Sequence, residues 1–519
     1  MKMDKASVKT LSDLVRLSAA EYGDKTFIKE KAGKDVLEKS FNTVYENCLK
    51  VTAFLNSKSN GEKLHAAVIG LTSSAYLESY FGTVMGGNVI VPLDAQLSCE
   101  DICDLINRAD VTLFFFDARY APMLPAIKAA CPQIHTYVCL QQDEAAENSI
   151  PQIISEFSPA QLAEVKASDL AAIVYTSGTT GKAKGVMLSH GNLIDNAMCQ
   201  DNESSTADTL LTVLPIHHIY CFTCDILLSF RYGTTLCIND SMMRIPQNLK
   251  LFQPTIILLV PMIAETIYKQ IMAAAAAKPE VPPAAIAQAV FGGRLRGIYS
   301  GGAYLNPDLV TGYQALRIPI AQGYGMTECS PRISTANFDE EVSLRGDVGK
   351  IVNGCEVRIV EGEIQAKSPS VMQGYYKNPE ATAESLTEDG WLCTGDLGYV
   401  EDGRIFITGR KKNLIILSNG ENVSPEEIEN KFASVDAAKE VLVYAEEGVI
   451  TAEIFPNEEI CTGMDKEAVG KLLNDEIQKI NQTLTSSKTI RRLRIRDTEF
   501  DKTTSKKIKR QQSTKGEQV

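Results

Sequence analysis

Helical and extended patterns alternate along the chain up to residue 170. Apolar residues recur at helical spacing over 11–22, 41–57, 74–86 and 99–109, and short apolar runs fall between them at 66–70, 88–93 and 111–116. A short run without polar alternation reads as a strand buried on both faces. A chain that interleaves such strands with amphipathic helices packs those helices onto a largely parallel sheet. The expected class is therefore α/β, in layered subdomains. The alternation returns at 211–214, 235–238, 255–259 and 295–300. Several of these runs end in Gly, Pro or polar residues, the sheet edge at which open α/β folds bind ligands.

From about residue 340 the texture changes. "EVRIVEGEIQAKS" (356–368) and "GWLCTGDLGYVEDGRIFITGRKKNLIILSNGENV" (390–423) are short β-like runs punctuated by Gly, the pattern of antiparallel hairpins. After Ser424-Pro425 the chain turns to a small α+β unit. "SPEEIENKF" opens with a Ser cap and acidic residues in its first turn; "EVLVYAE" and "VITAEIF" read as strands and 465–483 as a helix. These 519 residues thus divide into a large domain, 1–410, with layered α/β subdomains and a β-rich subdomain, and a small mobile α+β domain, 411–519.

The net charge of −13 argues against a general nucleic-acid binder. One segment runs the other way: residues 488–510 hold ten Lys or Arg against three Asp or Glu, which leaves the remainder at −20. That segment reads as a solvated basic tail, as a tail for an anionic membrane or RNA, or as a lid that closes on phosphates. Thirteen cysteines lie scattered without a disulfide framework, and the opening "MKMDKASVKTLSDL" lacks the apolar core of an export signal. Both point to a reducing cytoplasm. Cys221-x-x-Cys224 has no second pair and sits among apolar residues, so it reads as core rather than as a metal site. No apolar stretch reaches the ~18 residues of a membrane span.

The segment "VYTSGTTGKAKGVMLSH" (174–190) combines three Gly, three Thr and two closely spaced lysines behind an apolar run. Glycines let backbone N–H groups turn toward an anion, hydroxyls add donors and lysines add charge, so the loop reads as a phosphate cradle. It is not a Walker A loop, because Thr176 stands where that motif's first Gly would fall before Gly181-Lys182.

The same loop begins an ordered series of motifs: "LPIHHIY" (214–220), "SGGAYL" (300–305), "QGYGMTECSP" (322–331), "WLCTGDLG" (391–398), "GRKKNLIILSNGENVSPEEIE" (409–429) and "KTTSKKIKR" (502–510). In this order and over nearly the full length, the chain resembles the adenylate-forming superfamily of acyl-CoA synthetases, luciferases and peptide-synthetase adenylation domains. The resemblance implies an attack by a carboxylate on the α-phosphorus of ATP, giving acyl-AMP and pyrophosphate, and then a thioester with CoA. Such transfer rests on positioning and charge neutralisation.

The resemblance also implies roles. Thr176, Ser177, Gly178, Thr179, Thr180 and Gly181 would wrap the β- and γ-phosphates, with Lys184 as the loop lysine and Lys182 as a helper. Tyr324, followed by Gly325, would stack on adenine, with Gly301, Gly302 and Ala303 passing its edge. Thr327 would touch the α-phosphate and Glu328 would hold Mg²⁺, a hard cation suited to oxygen ligands. Asp396 would accept from both ribose hydroxyls, and Arg410 would add a ribose or phosphate contact. His218 would gate the acyl carboxylate. Taken singly, each has a plainer reading: a turn aromatic, a surface acid, a turn aspartate, a core histidine beside His217.

The adenylation lysine of the superfamily lies in a C-terminal loop, commonly Pro-x-Thr-x-x-Gly-Lys-x-x-Arg. Thr503, Lys507 and Arg510 match it; Asp501 replaces the Pro and Lys506 replaces the Gly. Lys507 is the expected catalytic residue, with Lys506 the alternative. The superfamily rotates its small domain between two half-reactions; the hinge position here is Lys412, and Ser418 and Gly420 would then line the CoA channel. Among superfamily members the 214–233 and 410–429 stretches look most like bacterial long-chain fatty-acid–CoA ligases. The expected substrates are ATP, CoA and a carboxylic acid, in the first place a medium- or long-chain fatty acid. An acyl carrier protein as acceptor, or an enzyme that stops at the adenylate of another acid, is the alternative. No nucleic-acid partner and no transmembrane segment are expected; peripheral contact with a membrane is left open.

Overall fold

The computed structural model describes the chain except residues 1–2, 4, 60, 144–145, 177–182, 203, 339–344, 418–421, 503–507 and 511–519. Among the described residues, two large sheets organise everything before the small C-terminal unit. One has seven strands. Five of them, Leu170–Thr176, Val89–Leu93, His65–Ile69, Leu113–Phe116 and Thr136–Cys139, lie side by side and parallel. Lys184–Ser189 then pairs antiparallel with Leu170–Thr176, and Gly374–Tyr375 closes that edge. The parallel strands are buried almost throughout, as their unbroken apolar runs require.

The second sheet, of thirteen strands, changes character in the middle. Thr26–Ala32, Thr235–Ile238, Thr209–Thr212, Ile256–Leu259, Gly297–Ser300 and Ile320–Gly325 run parallel. From Ile320–Gly325 onward, through Arg332–Thr335, Lys350–Ile351, Arg404–Arg410, Leu392–Glu401, Glu363–Lys367 and Glu356–Val360, the pairing is antiparallel. The Gly-punctuated hairpins therefore continue the α/β sheet rather than standing apart from it. The strand Ile320–Gly325 belongs to both halves, and it carries Tyr324. Gly325 at its end has no room for a side chain: a Cβ there would lie 1.9 Å from the Pro331 carbonyl oxygen.

The helices begin where the sequence signals them. Thr10 and Asp13 form a reciprocal capping box for Leu11–Tyr22, and Ser40, Ser73 and Ser98 cap Phe41–Lys58, Ser74–Met85 and Cys99–Arg108. The hairpin Thr26–Ala32/Asp35–Ser40 has no counterpart in the sequence reading. It forms the sheet's edge, so its second strand, "DVLEKS", is largely solvated and lacks an apolar run. The stretch 219–232 is a buried helix with a π turn at Phe222–Leu227, ended by Gly233 at φ 67.

The C-terminal unit has a three-stranded sheet, Ala438–Glu446, Val449–Pro456 and Arg492–Ile495, backed by the helix Lys466–Asn481. Its apolar core is its own, built from Ile415, Val423, Ile428, Val443, Leu473 and Ile477 among others. Among the described residues no helix is long and apolar enough to cross a membrane.

Candidate active site

The C-terminal ends of Gly297–Ser300 and Ile320–Gly325 form one wall. The Tyr324 hydroxyl donates to Asp396 Oδ2 at 2.7 Å. Arg410 Nε lies 2.7 Å from the other oxygen, Asp396 Oδ1. The register that pairs Asp396 with Arg410 across Leu392–Glu401 and Arg404–Arg410 sets this contact. Asp396 is buried, and burial together with that carboxylate pushes the Tyr324 phenol well above its ordinary range.

A second group lies at the mouth of the hairpin that carries the Gly/Thr loop. Thr176 and Lys184 face each other across its strands. The Lys184 ammonium sits 4.9 Å above the Tyr375 ring, and Tyr375 in turn donates to Glu328 Oε1 at 2.7 Å. Glu328, which is buried, follows Thr327 in a 3₁₀ turn directly after the Tyr324 strand. Burial, with Arg410 and Lys184 nearby, lowers the Lys412 amine below its usual range, while Asp396 opposes that shift. Lys412 therefore lies within electrostatic reach of both groups. Tyr375 escaped the sequence reading. Its only signal was the pair of Gly-flanked tyrosines in "QGYYKN".

Gly301, Gly302 and Ala303 follow the end of Gly297–Ser300. A Cβ on Gly301 would stand 3.2 Å from the Tyr220 ring and 3.3 Å from the Gly323 carbonyl, and Gly302 has φ +82°. Below them a cavity of about 90 Å³ runs between the buried helix and the strands. It is lined by Tyr220, Cys224, Leu228, Leu258, Tyr299 and Arg332, with Asp201, Asn202, Ser204 and Asn337 at polar positions. His218 is the residue that precedes the helix, its ring 4.3 Å from His217, and Tyr220, two residues on, reaches the cavity. Burial and His218 hold His217 neutral, its pKa down to about 3.

Cys221 and Cys224 are buried, and burial raises both thiols, that of Cys224 to about 12. Cys221 Sγ bonds the Leu214 carbonyl at 3.3 Å, as the core reading expects. Among the described residues no group of three His, Cys, Asp or Glu could hold a metal ion. Asp225 is buried in the π turn, where burial raises its carboxyl to about 7. The basic tail is largely neutralised at home. Arg492, Arg494 and Arg496 pair with Glu446, Glu447 and Glu453, Lys502 with Glu440 and Glu499, and Arg510 with Glu426 and Glu429. Ser177, Gly178, Thr179, Thr180, Gly181, Ser418, Gly420, Lys506 and Lys507 lie outside the described residues.

Residues 15–376 match the AMP-binding enzyme family, and residues 412–516 match the AMP-binding enzyme C-terminal domain. The chain belongs to the AMP-binding enzyme family. Among this family member's relatives, a peroxisomal long chain acyl-CoA synthetase 7 of Arabidopsis thaliana is 29% identical over 463 residues, 75% of this chain. The matched part spans 65% of that plant protein's length. The long-chain-fatty-acid–CoA ligase FadD15 of Mycobacterium bovis is 27% identical over 491 residues, 82% of this chain and 81% of its own. The fold is also that of an anthranilate CoA ligase, AuaEII, solved with anthranoyl-AMP, at a TM-score of 0.84 and 18% identity over 99% of this chain and 98% of that one.

Proposed function

We propose that this protein activates a carboxylic acid with ATP, forming acyl-AMP and pyrophosphate, and transfers the acyl group to the thiol of CoA. The acid class favoured is a medium- or long-chain fatty acid, in line with the activities for which the relatives are named. The observation that carries the reading is Asp396, a buried carboxylate held between the Tyr324 hydroxyl and Arg410. A short acceptor fixed beside an aromatic ring is suited to a ribose diol next to a purine. Thr176 to Gly181 and Lys184 would take the phosphates, Gly301, Gly302, Ala303 and Gly325 would bound the adenine, and Thr327 would meet the α-phosphate. His218 would stand at the acyl carboxylate, and Lys507 would neutralise charge as the α-phosphorus is attacked.

Mg²⁺ fits the residues present. This ion commonly takes one or two carboxylates and completes its shell with phosphate oxygens and water. Glu328 is a single buried acid beside the hairpin mouth, oriented by Tyr375. Bound there, the ion would neutralise phosphate charge.

The domain division at 410/411, with Lys412 as hinge and Ser418 and Gly420 toward CoA, belongs to the same proposal. An acyl carrier protein in place of CoA is the alternative acceptor. ATP–pyrophosphate exchange over a panel of free acids tests the first half-reaction. The outcome expected is exchange that depends on a fatty acid and disappears in Lys507→Ala. Exchange with no acid would overturn the reading. Thioester formation with free CoA, set against carrier protein, decides the acceptor.

A further inference from the structure

Two arginines are buried beside the acyl cavity, and they are treated differently. Arg231 meets the Asp201 carboxylate at 2.5 Å and the carbonyls of Ala197 and Gln200 at 3.0 and 2.9 Å. Arg332 has no such company. It is 8% exposed, and its guanidinium bonds only to Asn196, through Nε to the side-chain oxygen at 3.4 Å and through Nη2 to the backbone carbonyl. Among the described residues no carboxylate pairs with Arg332, and no partner meets its Nη1. A guanidinium has five donors, so most are unused.

The cavity is where those donors can be used. Arg332 lines it, and its charge bears on Tyr220, Cys224 and Tyr299, three other lining residues. One further polar atom on the same wall, Ser300 Oγ, which can donate, is buried and has no partner among the described residues. A buried cation is costly to leave unpaired, and a ligand that completes the pair removes that penalty. A saturated alkyl chain offers nothing to any of these groups.

We infer that Arg332 binds a second anionic group of the acid, so that among the fatty acids favoured above the substrate is an α,ω-dicarboxylic one rather than a chain that ends in a methyl group. The inference rests on the acid-activating function proposed above and narrows its substrate. The carboxylate that reacts stays near Gly301 and Tyr220, and the second one extends into the cavity and takes a forked pair of hydrogen bonds from Arg332. Ser300 is placed to donate a further bond to it.

The test is ATP–pyrophosphate exchange by the full-length protein with straight-chain monoacids and α,ω-diacids of four to ten carbons, paired by length, at pH 8 where both carboxyls are ionised. The expected result is a kcat/KM at least about tenfold higher for one or more diacids than for the monoacid of equal length, the usual worth of a charge-assisted bond. In Arg332→Met the preference should vanish through a raised KM for the diacid, and Arg332→Lys should keep part of it. Should Arg332→Met fail to fold, the wild-type comparison still decides. It is paired with thermal melts, in which a preferred diacid should raise the wild-type melting temperature more than its monoacid does. A wild type that prefers the monoacid at every length, or an Arg332→Met variant that keeps a diacid preference, overturns the inference and leaves acid activation standing. Exchange with no acid at all overturns both.

Discussion

The ribose side of the site and the acyl side are built from similar groups in opposite states. On the ribose side both buried acids have partners: Asp396 lies between Tyr324 and Arg410, and Glu328 accepts from Tyr375, whose ring lies under the Lys184 ammonium. On the acyl side, among the described residues, Arg332 has only an amide oxygen and a carbonyl, and Ser300 Oγ and Asn337 Oδ1 have no partner. The first arrangement is preorganised, with groups fixed before a ligand arrives and little reorganisation left to do. The second is incomplete, and its ligand is expected to finish it. A site can thus be specific for one substrate through rigidity and for the other through an unfilled requirement.

Lys507 lies outside the described residues, and removing it asks whether the two walls suffice. Lys507→Ala should cut pyrophosphate exchange about a thousandfold, the upper range for losing one charge-stabilising group, while ATP binding by titration calorimetry changes little. Exchange that survives would move the role to Lys506.

Asp225, in the buried helix that also carries Tyr220 and Cys224, gives a test that needs no substrate. Burial raises its carboxyl from 3.8 to about 7, so the folded protein keeps a proton that the unfolded chain releases above its lower pKa. Stability should therefore fall as pH rises from about 4 to about 7 and then level off. Asp225→Asn should remove that slope, gaining up to about 4 kcal/mol relative to wild type at pH 8 compared with pH 4, from roughly 1.4 kcal/mol per pKa unit. Urea melts at the two pH values read it directly. Equal slopes in both proteins would place the carboxyl in a more polar setting than its burial implies.

On the paired side the effects should be smaller and confined to ATP. Asp396→Asn should lower kcat/KM for ATP about a hundredfold, by leaving Arg410 unpaired and replacing two acceptors with one. The KM of the acid should hardly move. Tyr375→Phe should lower it only about fivefold, the worth of one hydrogen bond, because Glu328 stays in place without its donor. If Tyr375→Phe is as damaging as Asp396→Asn, the hydroxyl bond, and not burial alone, holds Glu328 in place.

How much of this could be read beforehand follows from where the information lies. The α/β class, the four leading helices and their caps depend on residues within a few positions of one another, and the helices predicted over 11–22, 41–57, 74–86 and 99–109 occur as Leu11–Tyr22, Phe41–Lys58, Ser74–Met85 and Cys99–Arg108. Strand ends moved by one or two residues, since the neighbouring strand decides where pairing stops. Tyr324 and Asp396 could each be picked from a motif, but their bond spans 72 residues and follows from sheet register. Tyr375 reaches Glu328 only because Gly374–Tyr375 adds to the edge of the other sheet. Arg332 looked like an ordinary polar residue in "SPRIST". Its isolation is a property of what surrounds it, and no local pattern encodes that.

The arginines of the strand Arg492–Ile495 and its neighbour Arg496 have a practical consequence. Arg492, Arg494 and Arg496 share one face of an extended segment and are matched there by Glu446, Glu447 and Glu453. To a cation-exchange resin the folded protein, of net charge −13, should look like the acidic molecule it is on average. Detach that strand and a dense run of positive charge comes into view. Retention on such a resin at low salt, followed through a mild denaturant series, would then report the opening of the small unit's edge before the rest of the molecule unfolds.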